Sequence, residues 1–475
     1  MVGEVHVNPL PPERFAEVLS GEQFSRFQEV IERGRDLLGG RVVWTVNSTA
    51  RGGGVAELLT SLVAYVRGAG IDARWMVIGG DPDFFRVTKR IHNRLHGFEG
   101  DGGPLGRTEI DVYRRTLERN AQELEPLVRA GDFVLLHDPQ TAGLAEPLRE
   151  QGATAVWRCH VGLDEPNDFA RGAWDFLRPF VEPADAYVFS RRSFVWDDLD
   201  EARLAIIAPS IDAFSAKNAE LPPEVVGAVL RAGGIQSDGA GGHPSFVRAD
   251  GSPGRVDRRV EAVQARPLRP SDRVVAQISR WDRLKDPIGV MRGFAEHVAG
   301  VEDAQLVLAG PSTAAVADDP EGVEVLAATI EARERLDPEV RDRVHLLSLP
   351  MEDAEENATL VNALQRRADV LAQKSLAEGF GLTVSEGMWK GRPVIGSRVG
   401  GIQDQIVDGE TGVLVDPGDS DAFGEVAAQL VRDPERAGEL GRAARERVRD
   451  EFLGPRSLTQ YLELFRRLVP GAANG

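Results

Sequence analysis

From about Arg41 onward, short runs rich in Val, Ile and aromatics alternate with longer amphipathic segments, and the alternation occurs in two blocks. No other feature constrains the fold so strongly. Apolar runs of four to six residues predict strands, and alternation with helical segments reads as parallel sheet with covering helices. In the first block the predicted strands are Val42–Val46, Trp75–Ile78, Phe133–Leu136, Ala155–Trp157, Tyr187–Phe189 and Ala205–Ala208, with helices such as Val55–Arg67 and Val112–Ala130. The rhythm breaks between about Lys217 and Pro270. There Pro222-Pro223 predicts a helix start, glycines follow at 233, 234, 239, 241 and 242, and Ser245–Arg259 predicts a hairpin excursion inside a mobile insertion. The second block predicts strands at Val274–Ile278, Gln305–Leu308, Val344–Leu347, Val370–Ala372, Val394–Ile395 and Val413–Val415. Its helices are Pro287–Val298, Thr359–Arg367, Thr383–Trp389 and Ala422–Val431; Ala437, Leu440, Ala444 and Val448 mark one further amphipathic helix, and Leu458–Leu468 the last. Two doubly wound α/β domains facing a cleft are expected: 1–215, then 216–455 with its Gly-rich insertion near 233–259, and a final helix in 456–475.

Length agrees, since 475 residues exceed one ordinary core and suggest two domains. A net charge of −19, from 56 basic and 75 acidic residues, argues against nucleic acid or an anionic membrane surface as partner. The one cysteine, Cys159, forms no intramolecular disulfide and fits a reducing cytosol. Met1–Leu10 has no basic-then-apolar signal pattern, and no apolar run reaches membrane-spanning length, so a cytoplasmic location is expected.

Ligands of open α/β sheets bind beyond the carboxyl ends of strands, and the informative residues follow strands here. Asn47–Val55 contains Gly52-Gly53-Gly54 between a strand and a helix; such glycines serve phosphate contact or simply a tight turn. Ile278–Pro287 carries Arg280 and Lys285, a planar fork and a point charge able to straddle a diphosphate, or else a surface cation pair. Glu378–Glu386 holds two carboxylates around Gly379, Phe380, Gly381 and Leu382 at a helix mouth. A carboxylate accepts hydrogen bonds from neighbouring sugar hydroxyls; for Glu386 alone a solvated helix face is the alternative. His160, in Arg158–Gly162, and His137-Asp138-Pro139-Gln140 end successive strands of the first block, and Gly400–Ile406 adds another glycine loop.

Together these segments resemble the retaining glycosyltransferases of the two-domain B fold (GT-B, two Rossmann-like domains), with Glu378 and Glu386 matching the double-glutamate signature. Val46–Glu57, Val77–His92, His137–Gln140, Arg158–His160, Ala208–Ile211 and Gly400–Gly412 resemble more closely the trehalose glycosyltransferring synthases; trehalose phosphorylases are similar in these places. The resemblance implies an acceptor-side first domain and a second domain that binds a nucleotide sugar, with the last helix crossing back to the first. It implies catalytic roles for His160, Arg280, Lys285 and Glu378. It implies donor contacts from Gly53, Gly54, Gly379, Phe380, Gly381, Leu382 and Glu386, and acceptor contacts from Asp138 and Gln140. The implied reaction moves glucose from ADP- or UDP-glucose to glucose with retention, giving trehalose. No cofactor is required and a divalent cation is not essential, since cations and helix ends supply the positive potential. A homodimer is a compatible state.

Three rivals differ in testable ways. A glycoside hydrolase would use Glu378 and Glu386 as its carboxyl pair, whose separation should then be roughly 5–9.5 Å; the eight-residue spacing would rise about 12 Å if wholly helical. A non-catalytic nucleotide-sugar sensor would be favoured by loss of Arg280 or either glutamate, yet all are present. A trehalose phosphorylase would depend on phosphate where the synthase uses a nucleotide.

Overall fold

The computed structural model describes residues 1–50, 54–239, 241–313 and 320–469. The chain forms two compact units: 1–210 with the C-terminal 452–475, and 211–451. The divisions fall after Ser210 and Glu451, a few residues before the expected 215 and 455.

The first unit carries a seven-stranded sheet of β1 (Gly3–Val5), β2 (Val42–Asn47), β3 (Asp72–Val77), β4 (Phe133–His137), β5 (Thr154–Cys159), β6 (Ala186–Phe189) and β7 (Leu204–Ile206), in the order β1-β3-β2-β4-β5-β6-β7. All pairs are parallel except β1 with β3. Successive side chains enter opposite cores: Trp44, Val46, Val134, Leu136 and Trp157 on one face, Val43, Phe133, Leu135, Val156 and Val188 on the other. That two-sided burial is why the strands read as continuous apolar runs. The helix Gly454–Leu468 completes the second face, with Phe465 against Phe133 at 4.5 Å between ring centroids. Arg456 fastens the start of this helix by donating to the carbonyls of Ala208 (2.9 Å) and Pro209 (3.0 Å).

In the second unit, β8 (Ser245–Val247) and β9 (Pro253–Arg255) form a separate antiparallel hairpin. The sheet contains β10 (Glu261–Val263), β11 (Arg273–Ile278), β12 (Ala304–Pro311), β13 (Val344–Leu349), β14 (Val370–Gln373), β15 (Val394–Ser397) and β16 (Val413–Val415), ordered β10-β13-β12-β11-β14-β15-β16. Leaving aside the antiparallel edge strand β10, this is the 3-2-1-4-5-6 order of dinucleotide-binding sheets.

Several expected elements shift. The first-unit helix spans Arg107–Leu124 rather than 112–130, because Glu109 closes a capping interaction on Gly106 and so sets an earlier start. The helix from Pro287 is α-helical only to Gly293 and continues as a wider π turn over Phe294–Val298. The excursion at 245–259 is a hairpin, but an anchored one. Arg248 pairs with Asp353 (2.7 Å) and Glu355 (3.1 Å), and buried Glu356 accepts from the backbone N–H groups of Asp257 and Arg258 (2.7 Å each). The Arg248 guanidinium, by its hydrogen bonds, holds the Asp353 carboxyl down to about 2.

Candidate active site

In the second unit, strand order reverses between β11 and β14, so their following loops diverge at the sheet edge. After β11, Asp282 caps a single 3-10 turn over Arg283–Lys285, accepting from Leu284 N–H at 2.8 Å. Asp286 then takes a left-handed conformation (φ 47°) and caps the next helix through Gly289 N–H at 3.1 Å. After β14, the loop runs to Gly381 (φ 80°), which opens the helix Leu382–Trp389. The loops are stitched together. Leu376 N–H donates to Leu284 O (2.7 Å), Gln277 Nε2 to Lys285 O (2.8 Å), and Lys374 N–H to Gln277 Oε1 (3.2 Å).

This stitching brings Lys285 and Glu378 together. The Lys285 ammonium donates to Glu378 Oε2, which also accepts from Gln373 Nε2 and Ser375 Oγ at 3.3 Å each. Both side chains are largely buried, at 12% and 13% exposed. A second pair lies beneath: Lys374, fully buried, donates its ammonium to the Asp286 carboxylate. Arg280 is placed differently, 65% exposed with Asp282 as its partner at 3.0 Å.

Glu386 is not on a solvated helix face. It is 1% exposed, accepts from Gln365 Nε2 at 3.1 Å and lies 3.4 Å from the Lys217 ammonium. The helix that carries it is packed all round, so both carboxylate oxygens meet protein partners. The backbone at Gly379, Phe380 and Gly381 is held through its carbonyls. Gly401 N–H donates to Gly379 O at 3.0 Å, and Gln405 Nε2 to Phe380 O at 2.6 Å and Gly381 O at 3.3 Å. Gly400 and Gly401 are glycines because this loop lies on them: a Cβ on Gly400 would stand 1.7 Å from Glu378 O, and one on Gly401 2.7 Å from Phe380 Cα.

In the first unit the order reverses between β2 and β4. Asn47 ends β2, accepting from Trp75 Nε1 (2.8 Å) and donating to Thr49 O (2.7 Å). Gly53 lies outside the described residues; Gly54 is the exposed first residue of the helix Gly54–Gly68. At the ends of β4 and β5, His137 and His160 are 3% and 9% exposed, with Nδ1 of the first 2.9 Å from Nε2 of the second. Asp138, in a left-handed conformation (φ 64°), accepts from His160 N–H at 2.8 Å. Gln140 sits half-buried in the same turn. The neighbouring Arg158 is 1% exposed, its Nη2 3.4 Å from Ser190 Oγ. Cys159 is buried, and burial raises its thiol far above the usual range, so it is an inert packing residue.

Burial pushes the Asp138 carboxyl up to about 6, against the opposing pull of His160 N–H and Arg158. The folded state therefore binds this proton more tightly than the unfolded chain, and its contribution to stability fades as pH rises from about 4 to 6. Asp138→Asn keeps an acceptor for His160 N–H and tolerates the backbone. It is expected to stabilise the protein by about 1–3 kcal/mol above pH 7 and hardly at all near pH 3.5, measured by denaturant melts at the two pH values. Equal effects at both would contradict the buried-carboxyl assignment.

Sequence reasoning missed the residues that lock these loops: Gln277, Gln373, Lys374, Thr383 and Lys217. One signal was present: Gln277, next to the last residue of β11, and Gln373, the last residue of β14, are polar residues following apolar runs, and both are buried. A polar side chain there must find partners, and each finds them on a site loop.

Residues 260–447, which include Lys285, Glu378 and Glu386, match the family glycosyl transferases group 1. With two doubly wound α/β sheets, this defines a glycosyltransferase enzyme of the two-domain B fold. A sucrose-phosphate synthase structure from Thermosynechococcus elongatus shares that fold at a TM-score of 0.62 and 17% identity, covering 90% of this chain and 99% of its own. Residues 45–196 match the family trehalose synthase, N-terminal domain. The trehalose synthase of Pyrococcus horikoshii is 38% identical over 461 residues, 96% of each chain, and the protein belongs to the trehalose synthase family. The trehalose phosphorylase of Pleurotus pulmonarius is a more distant relative, 27% identical over 85% of this chain and 54% of its own. Among the described residues no helix is long and apolar enough to cross a membrane.

Proposed function

We propose that the protein transfers glucose from a nucleoside diphosphate glucose, ADP- or UDP-glucose, to free glucose with retention, forming α,α-trehalose. The observation that carries this reading is the Lys285–Glu378 pair at the switch point of a 3-2-1-4-5-6 sheet, a cation ready for phosphate and a carboxylate ready for hydroxyls in one place. On donor binding, Lys285 exchanges part of its contact with Glu378 for the diphosphate, and Arg280 adds a solvent-side fork. The freed lone pairs of Glu378 then accept from hydroxyls of the transferred glucose. As the glycosidic bond breaks, charge grows on the diphosphate where fixed cations await it, and such preorganised stabilisation is generally the largest catalytic term. The acceptor attacks from the face of departure and passes its proton to the leaving phosphate, so no protein nucleophile is needed. His160 contributes at the sugar, with Asp138 and Gln140 on the acceptor. Glu386 takes the ribose once Lys217 swings to the nucleotide phosphates. No divalent cation is required.

Phosphorolysis is the second reading, supported by the phosphorylase relative, although the chain spans only about half of that protein. A cleavage assay separates the two: trehalose is incubated with ADP, with UDP, or with inorganic phosphate alone. Release of nucleotide-linked glucose is expected. Glucose 1-phosphate formed with phosphate alone would assign the enzyme to phosphorolysis instead.

A further inference from the structure

His137 has no part in the reaction proposed above, yet its ring is hydrogen-bonded to the ring of a residue that does. The two imidazoles are nearly parallel (18°, centroids 5.2 Å) and joined Nδ1 to Nε2 at 2.9 Å. The His137 carbonyl is held by Thr141 Oγ1 at 2.8 Å, and the His160 N–H by Asp138 at 2.8 Å, so both rings hang from fixed backbone. Burial and the Arg158 guanidinium hold His137 down to about 3 and His160 well below the usual range, so both rings are neutral at physiological pH. Two neutral imidazoles sharing a hydrogen bond carry one proton between the facing nitrogens, and its owner sets the tautomer of both.

The orphaned atom identifies the owner. His137 Nε2 is buried with no hydrogen-bond partner, and the same holds for Nε and Nη1 of Arg158, so this neighbourhood already has donors in excess. If His160 donated, His137 would bear its proton on Nε2, an orphaned buried donor beside the positive Arg158. If His137 donates from Nδ1, Nε2 carries only a lone pair, which a nearby guanidinium favours. Buried orphan donors are the rarer case. We propose that His137 is a positioning residue that fixes His160 as the Nδ1–H tautomer, so that His160 presents a donor to a sugar oxygen of the substrate. The sugar half of this statement rests on the function proposed above; the tautomer half rests on the first unit alone.

The test is nitrogen-15 NMR of histidine-labelled protein at about pH 7, where both rings are neutral. The signals of the eight histidines are assigned by substitution. In the free wild-type enzyme, His160 is expected with Nδ1 protonated and Nε2 bare. His137→Leu removes the donor that fixes the tautomer, so a mixture of the Nδ1–H and Nε2–H forms of His160 is expected, with kcat lower by about 10–100-fold, the size seen when a hydrogen-bond partner that orients a metal-bound imidazole is lost. His137→Asn places an amide donor at the δ position and should restore both the tautomer and most of kcat. Nε2–H His160 in the wild type would overturn the proposal, as would a His137→Leu variant with unchanged tautomer or turnover, or His137→Asn no better than His137→Leu. If the tautomers behave as expected but no glucosyl transfer occurs with any donor, the proposed function falls and the orientation of His160 by His137 stands.

Discussion

Lys285→Met is expected to lower kcat about 10²–10³-fold with ADP- or UDP-glucose, the loss typical of removing one group that meets developing charge. The geometry makes the effect separable from misfolding. Lys285 sits on a turn whose backbone is held by Gln277, Asp282 and Asp286, none of which needs its ammonium. What changes locally is Glu378, which loses its cation but keeps Gln373 and Ser375 at 3.3 Å. Glu378→Gln, alone and combined with Lys285→Met, should therefore be non-additive in kcat, since the two act as one unit. Thermal melts of all variants control for the fold. Arg280→Ala should follow in the same direction with a smaller effect, because that side chain is exposed. Lys285→Met within about threefold of wild type would remove the phosphate role, given the size expected of such a group.

Gly400→Ala carries the second large effect, with no functional group removed. The new methyl would stand 1.7 Å from the Glu378 carbonyl oxygen, so the loop must move by more than an ångström. Displacements of that size cost about 10²-fold in rate when they reach reacting groups, and a fall of that order in kcat/KM is expected. Gly409→Ala is the matched control. It imposes a comparable left-handed strain (φ 75° against 47°) but meets nothing within 4 Å. It should lose about 1 kcal/mol of stability and no activity. Equal activity in the two variants would show that the Gly400 contact does not position Glu378.

The strands were legible because both faces of each sheet are covered, which leaves mostly Val, Ile, Leu, Ala and aromatics along a buried strand. The antiparallel edge strands were not: Gly3–Val5 and Glu261–Val263 are three residues long, largely exposed, and held mainly by antiparallel pairing to β3 and β13. The helix Gly21–Leu38 precedes the first apolar run and shows only a narrow buried stripe, although Ser20 and Gln23 form a readable capping box. At the site, the positions of Lys285 and Glu378 in loops that follow strands could be inferred from spacing. Their mutual contact could not, because it depends on β11 and β14 being adjacent across a crossover of two other strands. Glu386 shows the limit most clearly. One carboxylate on a short helix reads as solvated until the packing of Gln365 and Lys217 around it is known.

The central claim is tested most directly by product analysis under metal-free conditions. The protein is incubated with EDTA, carbon-13-labelled ADP- or UDP-glucose and free glucose, and the disaccharide is examined by NMR. The proposed reaction predicts a symmetrical α,α-1,1 product carrying the label in one ring, formed at the same rate with and without chelator. A β linkage, or transfer only to some acceptor other than glucose, would contradict it.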